Sequence, residues 1–66
     1  MYIQFNNTTL NTQQVYCFKK SISEMNDMPT IEAELPYGIL YWEFDNAIDR
    51  DNTFHRLNCI LQTKSI

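Results

Sequence analysis

The chain has one glycine, two prolines and a single histidine among its 66 residues, and these scarcities close off several chemistries. One glycine cannot supply the glycine-rich loops that bring backbone amides up to phosphates. The two cysteines, Cys17 and Cys59, stand far apart and lack the close spacing of a zinc ligand set or a dithiol redox motif. They read as free thiols of a reducing compartment. No apolar run approaches the roughly 20 residues that a membrane span requires, and Met1 to Phe5 has neither the basic flank nor the long apolar core of a secretion signal. A cytoplasmic protein with no membrane association is the expectation. Positive charge is scarce too: Lys19, Lys20, Arg50, Arg56 and Lys64 are scattered, and the net charge is −3. Phosphate backbones are bound by clustered lysine and arginine, so nucleic acid is not expected as a direct partner.

What the chain does contain suits one small domain, residues 1–66. Chains this short bury only about 60% of their unfolded surface, which leaves the core marginal without a staple, a metal or a partner. Hydrophobic residues make up 44% and charged residues 20%, a balance that folds rather than staying disordered. Aromatic residues reach 14%, the richest resource the chain has for binding.

Alternating apolarity predicts strands over Met1–Phe5, Val15–Ile22, Thr30–Leu35 and Ile39–Phe44. Asn6 to Thr9 supplies turn chemistry, and Leu10 is expected to plug a gap under the sheet. The last two strands meet across Pro36-Tyr37-Gly38. A three-residue loop sets Glu32 beside Trp42 and splits the apolar set. A two-residue primed turn is closed to Pro36, whose φ is fixed negative. The expectation is a four-residue loop, Pro36 to Ile39, pairing Leu35 with Leu40, Ala33 with Trp42 and Ile31 with Phe44. That register sets Glu32 against Glu43, a like-charge pair.

Asp45 or Asn46 then caps a helix, and Asp49 suits the positive end of its dipole. At about 100° per residue, Ala47, Phe54, Leu57, Asn58 and Leu61 share one stripe. Arg50 lies on that stripe with its head snorkelling outward, and Asp51 is spaced to pair with His55. The predicted fold class is α+β: a four-stranded antiparallel sheet in ββββα order, with one C-terminal helix packed on one face. Ile31, Ala33, Leu35, Leu40, Trp42 and Phe44 should meet Phe54, Leu57 and Leu61.

Chemistry is thinly represented. Asp45, Asp49 and Asp51 fail the calcium-loop pattern, because the sixth position from Asp49 is Phe54 and the twelfth is Ile60. His55 and Cys59 share a helical face, but a nucleophile pair needs an orienting group and a pocket, which a convex helix surface does not imply. No catalytic residue, metal or cofactor is expected, and the chain reads as a non-enzyme. The aromatic residues say more. Helical cover on one face leaves an open sheet face, to which we assign Tyr2, Tyr16, Phe18, Ile39 and Tyr41 as partner-binding residues. Contiguous apolar patches mark interaction sites and tyrosine is enriched there. The expected function is a protein-interaction module that forms a homodimer or binds another protein. The alternative is a small acidic inhibitor of the phage type, presenting Glu32, Glu34, Glu43, Asp45, Asp49 and Asp51 to the basic groove of a host nucleic-acid enzyme.

Overall fold

The computed structural model describes residues 1–64, with side chains described as far as Leu61. The fold is α+β, with five strands in two antiparallel sheets and one C-terminal helix. Strands β1 (Tyr2–Phe5) and β2 (Thr8–Asn11) form a two-stranded ribbon, and β3 (Cys17–Ile22), β4 (Pro29–Leu35) and β5 (Gly38–Glu43) form a three-stranded sheet in that order. Helix α1 (Ala47–Lys64) closes the chain. The single four-stranded sheet expected from sequence is therefore corrected to two sheets.

The extra strand lies where a turn was expected. Phe5 pairs with Thr8, so the turn is only Asn6-Asn7. Asn6 takes φ +55°, which asparagine tolerates, at the first central position of a tight hairpin. Thr8 and Thr9 then suit a strand because their β-branched side chains fit a pleated surface. Leu10 is buried, as expected, but as a residue of β2. A single 3-10 turn, Thr12–Gln14, follows. Thr12 ties it back to the chain start, donating its N–H and its hydroxyl to the Met1 carbonyl at 2.9 and 3.1 Å.

The β4–β5 hairpin differs from the expected register by two residues. Leu35 pairs with Gly38, Ala33 with Leu40, Ile31 with Trp42 and Glu32 with Tyr41. The loop has two residues after all. Pro36 and Tyr37 keep negative φ, and Gly38 absorbs the mismatch at φ +140°. Because the shift is even, the face assignment stands, while the feared Glu32–Glu43 pair is avoided: Glu43 sits opposite Thr30.

The inner face of the three-stranded sheet, with Phe18, Ile31, Ala33 and Leu35 buried, takes two covers. Over β3 and β4 lies α1, through buried Leu57 and half-buried Phe54 and Leu61. Phe5 of the ribbon sits edge-on to Trp42, with ring centroids 5.3 Å apart, and stacks on Phe18 at 5.9 Å. Trp42 in turn stacks on Phe44 at 4.8 Å. The expected core is present, joined by Phe5, Leu10, Val15 and Phe18. Asn46 is the helix cap: its Oδ1 accepts the Asp49 N–H at 2.8 Å and its Nδ2 donates to the Asp49 carboxylate at 3.1 Å. Ala47, placed on the buried stripe from sequence, is exposed.

Candidate interaction face

Both covers lie on the inner face, so the outer face of the three-stranded sheet is open apart from one loop at its end. Pairing sets its side chains in rows. Cys17, Glu34 and Ile39 form the first; Lys19, Glu32 and Tyr41 the second; Ser21, Thr30 and Glu43 the third. Ile39 is 44% and Tyr41 60% exposed, side by side on an edge strand. Among the described residues, no strand pairs with the outer edge of β5.

Of the five residues expected on this face, the structure brings together two. Phe18 is corrected: it is 5% exposed, faces inward opposite Ala33 and belongs to the core. The reason is a break in the alternation. The Tyr16 N–H donates to the Glu34 carbonyl at 2.8 Å, although Glu34 is the partner of Cys17. Two residues of the incoming chain thus oppose one of β4, as in a β-bulge. Val15 and Phe18 both turn inward, and Tyr16 is thrown out to 69% exposure. Tyr16 stands just ahead of β3, which β4 separates from the β5 strand of Ile39 and Tyr41. Tyr2 is exposed but belongs to the ribbon, opposite Asn11.

Glu34 holds a small polar cluster in the first two rows. One carboxylate oxygen receives Lys19 Nζ at 2.8 Å, and the other accepts from the Cys17 thiol at 3.2 Å. Partial burial, then the Glu34 bond and charge, push the Cys17 pKa upward, so the thiol is held protonated. The bond from Lys19, then that from Cys17, draws the Glu34 carboxyl below its ordinary range, and Glu34 raises Lys19. Cys17 is poorly suited as a nucleophile.

The third row is the low point of the face. Its small residues Ser21 and Thr30 floor a depression of about 350 Å³. Glu32, Tyr41 and Glu43 wall one side; Ile22 at the end of β3 and the β3–β4 loop, with Glu24 and Met25, wall the other. That loop is organised by its own backbone: Ser23 N–H donates to Met28 O and Asp27 N–H to Ser23 O, both at 2.9 Å. Asp27 takes φ +58° to close it. Thr30 is buried beneath, its hydroxyl donating to Met28 O at 2.9 Å. Asn26 Nδ2 reaches Glu43 across the loop at 3.4 Å. Sequence reasoning missed Met25, 95% exposed, and Tyr37, exposed in the hairpin turn. The signal was present: a large apolar residue inside a loop has no core face to turn to.

The six acidic residues of the alternative reading divide. Glu32 and Glu43 wall the depression, Glu34 is bound by Lys19, and Asp49 is engaged by the Asn46 cap. Asp51 accepts from Arg50 Nε at 2.9 Å, with Lys20 Nζ at 3.9 Å, and this displaces the expected pairing with His55. Asp45 is exposed ahead of the helix. Cys59 Sγ lies 3.8 Å from His55 Nε2, both exposed on the helix. Among the described residues no three His, Cys, Asp or Glu side chains are placed to hold a metal ion, and no helix is long and apolar enough to cross a membrane. Compared with protein-family models, curated proteins and solved structures, the chain matches none of them.

Proposed function

We propose that this chain is a non-enzymatic interaction module that binds a protein partner through the outer face of its three-stranded sheet. The observation that carries the reading is the exposure of Ile39 and Tyr41 together on an open edge strand, while among the described residues the helix and the ribbon both cover the other face. Burying each such side chain in a partner contributes roughly 1.5–3 kcal/mol by area, a substantial addition to so small a core. Charge selects the kind of partner. The face and its bordering loop carry Glu24, Asp27, Glu32, Glu34 and Glu43 against Lys19 alone. A second copy docking face to face would set carboxylates against carboxylates, so a partner with a basic surface fits better than a homodimer. Such a partner also absorbs what is useful in the acidic-inhibitor reading, since the carboxylates on this face belong to the same contact.

Two measurements test the proposal. Molar mass by light scattering, across loading concentration and salt, should give a monomer. Capture from a lysate of the producing cell should then recover a protein that is lost with Tyr41→Glu and with Ile39→Glu, while both variants keep the native circular dichroism and melting curve. Capture that is indifferent to both substitutions overturns the reading, and a dimer that survives dilution reassigns the face to self-association.

A further inference from the structure

We infer that the depression at the end of the outer face receives an arginine side chain from the partner. This rests on the interaction reading above and specifies what the partner must present. The cavity, about 350 Å³, is the size of one long side chain with room for water and has a mixed lining. Its floor is small and polar, Ser21 and the buried Thr30. Apolar surface comes from Met25 and the ring of Tyr41, and three carboxylates, Glu24, Glu32 and Glu43, stand around it.

Each alternative occupant meets an obstacle. No lysine or arginine lines the cavity, so an anion would enter a field of carboxylates unopposed. A neutral apolar group would strip water from those carboxylates and return no hydrogen bond, which is costly. A bare metal ion needs tightly convergent ligands, and among the described residues no such group exists. A cation on an apolar stem satisfies both halves of the lining. The stem lies along Met25 and Tyr41 while the charge meets Glu32 and Glu43. Lys19, the one cation in the neighbouring row, does not compete, because Glu34 holds it at 2.8 Å.

Arginine fits better than lysine. Its planar guanidinium stacks on a tyrosine ring and divides its N–H groups between two carboxylates, whereas an ammonium is a point charge that holds its water more tightly. Glu32 and Tyr41 are directly opposed across β4 and β5, which places a carboxylate and a ring side by side for such a group.

The probe is N-acetylarginine amide, titrated into the ¹⁵N-labelled protein at constant ionic strength and followed by amide chemical shifts. N-acetylcitrulline amide serves as the neutral isostere. Saturable shifts confined to Ser21, Met25, Thr30, Glu32, Tyr41 and Glu43 are expected, with half-saturation near 10 mM, an affinity typical of one side chain in isolation. Citrulline amide should produce none, and Glu32→Gln with Glu43→Gln should weaken binding at least about tenfold, the loss of one charge-assisted contact. An equal response to citrulline amide, or no localised response to arginine amide up to about 100 mM, overturns the assignment. Such a failure, with capture still lost in Tyr41→Glu, would reject the arginine pocket and leave the interaction face standing. Arginine binding without any Tyr41-dependent capture would do the reverse.

Discussion

Arg50 reaches from the first turn of α1 to the backbone of β3, where its guanidinium donates to the Ser21 carbonyl at 2.9 Å. Its side chain is only 15% exposed, and Nε donates at 2.9 Å to Asp51. The sequence pattern placed its stem on the buried stripe but sent the head to solvent; the head instead ties helix to sheet. A hydrogen bond from a charged donor contributes about 1.5–3 kcal/mol when well sheltered, and the half-exposed Asp51 adds little to that. Arg50→Met keeps the stem and removes the donor, so it should lower stability by about 1–2 kcal/mol. Urea denaturation should show a lower midpoint at unchanged slope; an unchanged midpoint would mean that the head is solvated.

Gly38 is the residue that lets a two-residue loop join β4 to β5. At φ +140° it occupies backbone space that side chains rarely adopt, although a Cβ there would meet nothing within 4 Å. Gly38→Ala therefore isolates backbone strain from crowding. It should destabilise the protein by about 1 kcal/mol or more, read from thermal melts. A neutral result would show that the turn relaxes into the four-residue form.

The same turn marks the boundary of what sequence could disclose. Strict alternation in Ile31, Ala33 and Leu35 made the buried face of β4 legible, and the 3.6-residue period did so for Phe54, Leu57 and Leu61. Registers that differ by two residues bury the same side chains, so patterning cannot choose between them. The choice was made by Gly38, after the loop instead of within it. Phe18 was misplaced because a bulge at Tyr16 and Cys17 changes the parity of the strand, and a bulge leaves no mark in the pattern of apolar residues. The ribbon was hidden because β2 has one buried apolar residue, Leu10, in four. For the interaction face, Ile39 and Tyr41 were readable from alternation. The depression was not, since it depends on a loop folding back beside Thr30.

The thiol of Cys17 should respond to its neighbour. Burial and the Glu34 carboxylate together hold its pKa above the ordinary 9.0, and the thiolate is the form that reacts. In a Cys59→Ser background, Glu34→Gln removes the charge and leaves the burial. Iodoacetamide should then label Cys17 several-fold faster at pH 8 while the native fold persists. An unchanged rate would assign the protection to burial alone.

Glu34 also sets the direction of the acid response. Its folded carboxyl titrates below the ordinary 4.5, so the folded state binds that proton less tightly than the unfolded chain does. The stabilisation is in place above about pH 4.5 and is lost as pH falls toward the lowered folded value. Lys19 acts at the other end: its pKa is raised above 10.5, so its contribution is present at neutral pH and is lost as pH climbs through that raised value. Glu34→Gln should flatten both limbs of the urea midpoint against pH. Equal acid slopes in the two proteins would show that other carboxylates govern the acid limb.

Phe5 carries the docking of the ribbon onto the sheet, since its ring contacts both Trp42 and Phe18 and is almost wholly buried. Phe5→Leu keeps an apolar side chain of similar reach but removes the edge-to-face and stacked geometry. A loss of about 1–2 kcal/mol is expected, from imperfect repacking together with the aromatic term. Trp42 is the only tryptophan, so its fluorescence reports the contact directly and should shift to the red in the folded variant as water approaches the indole. Phe18→Leu should be less damaging in the Phe5→Leu background than alone, by about 0.5–1.5 kcal/mol, because the two rings share one contact. Additive losses with unchanged Trp42 emission would mean that the ribbon does not rest on the sheet in solution, and that the inner face is covered by the helix alone.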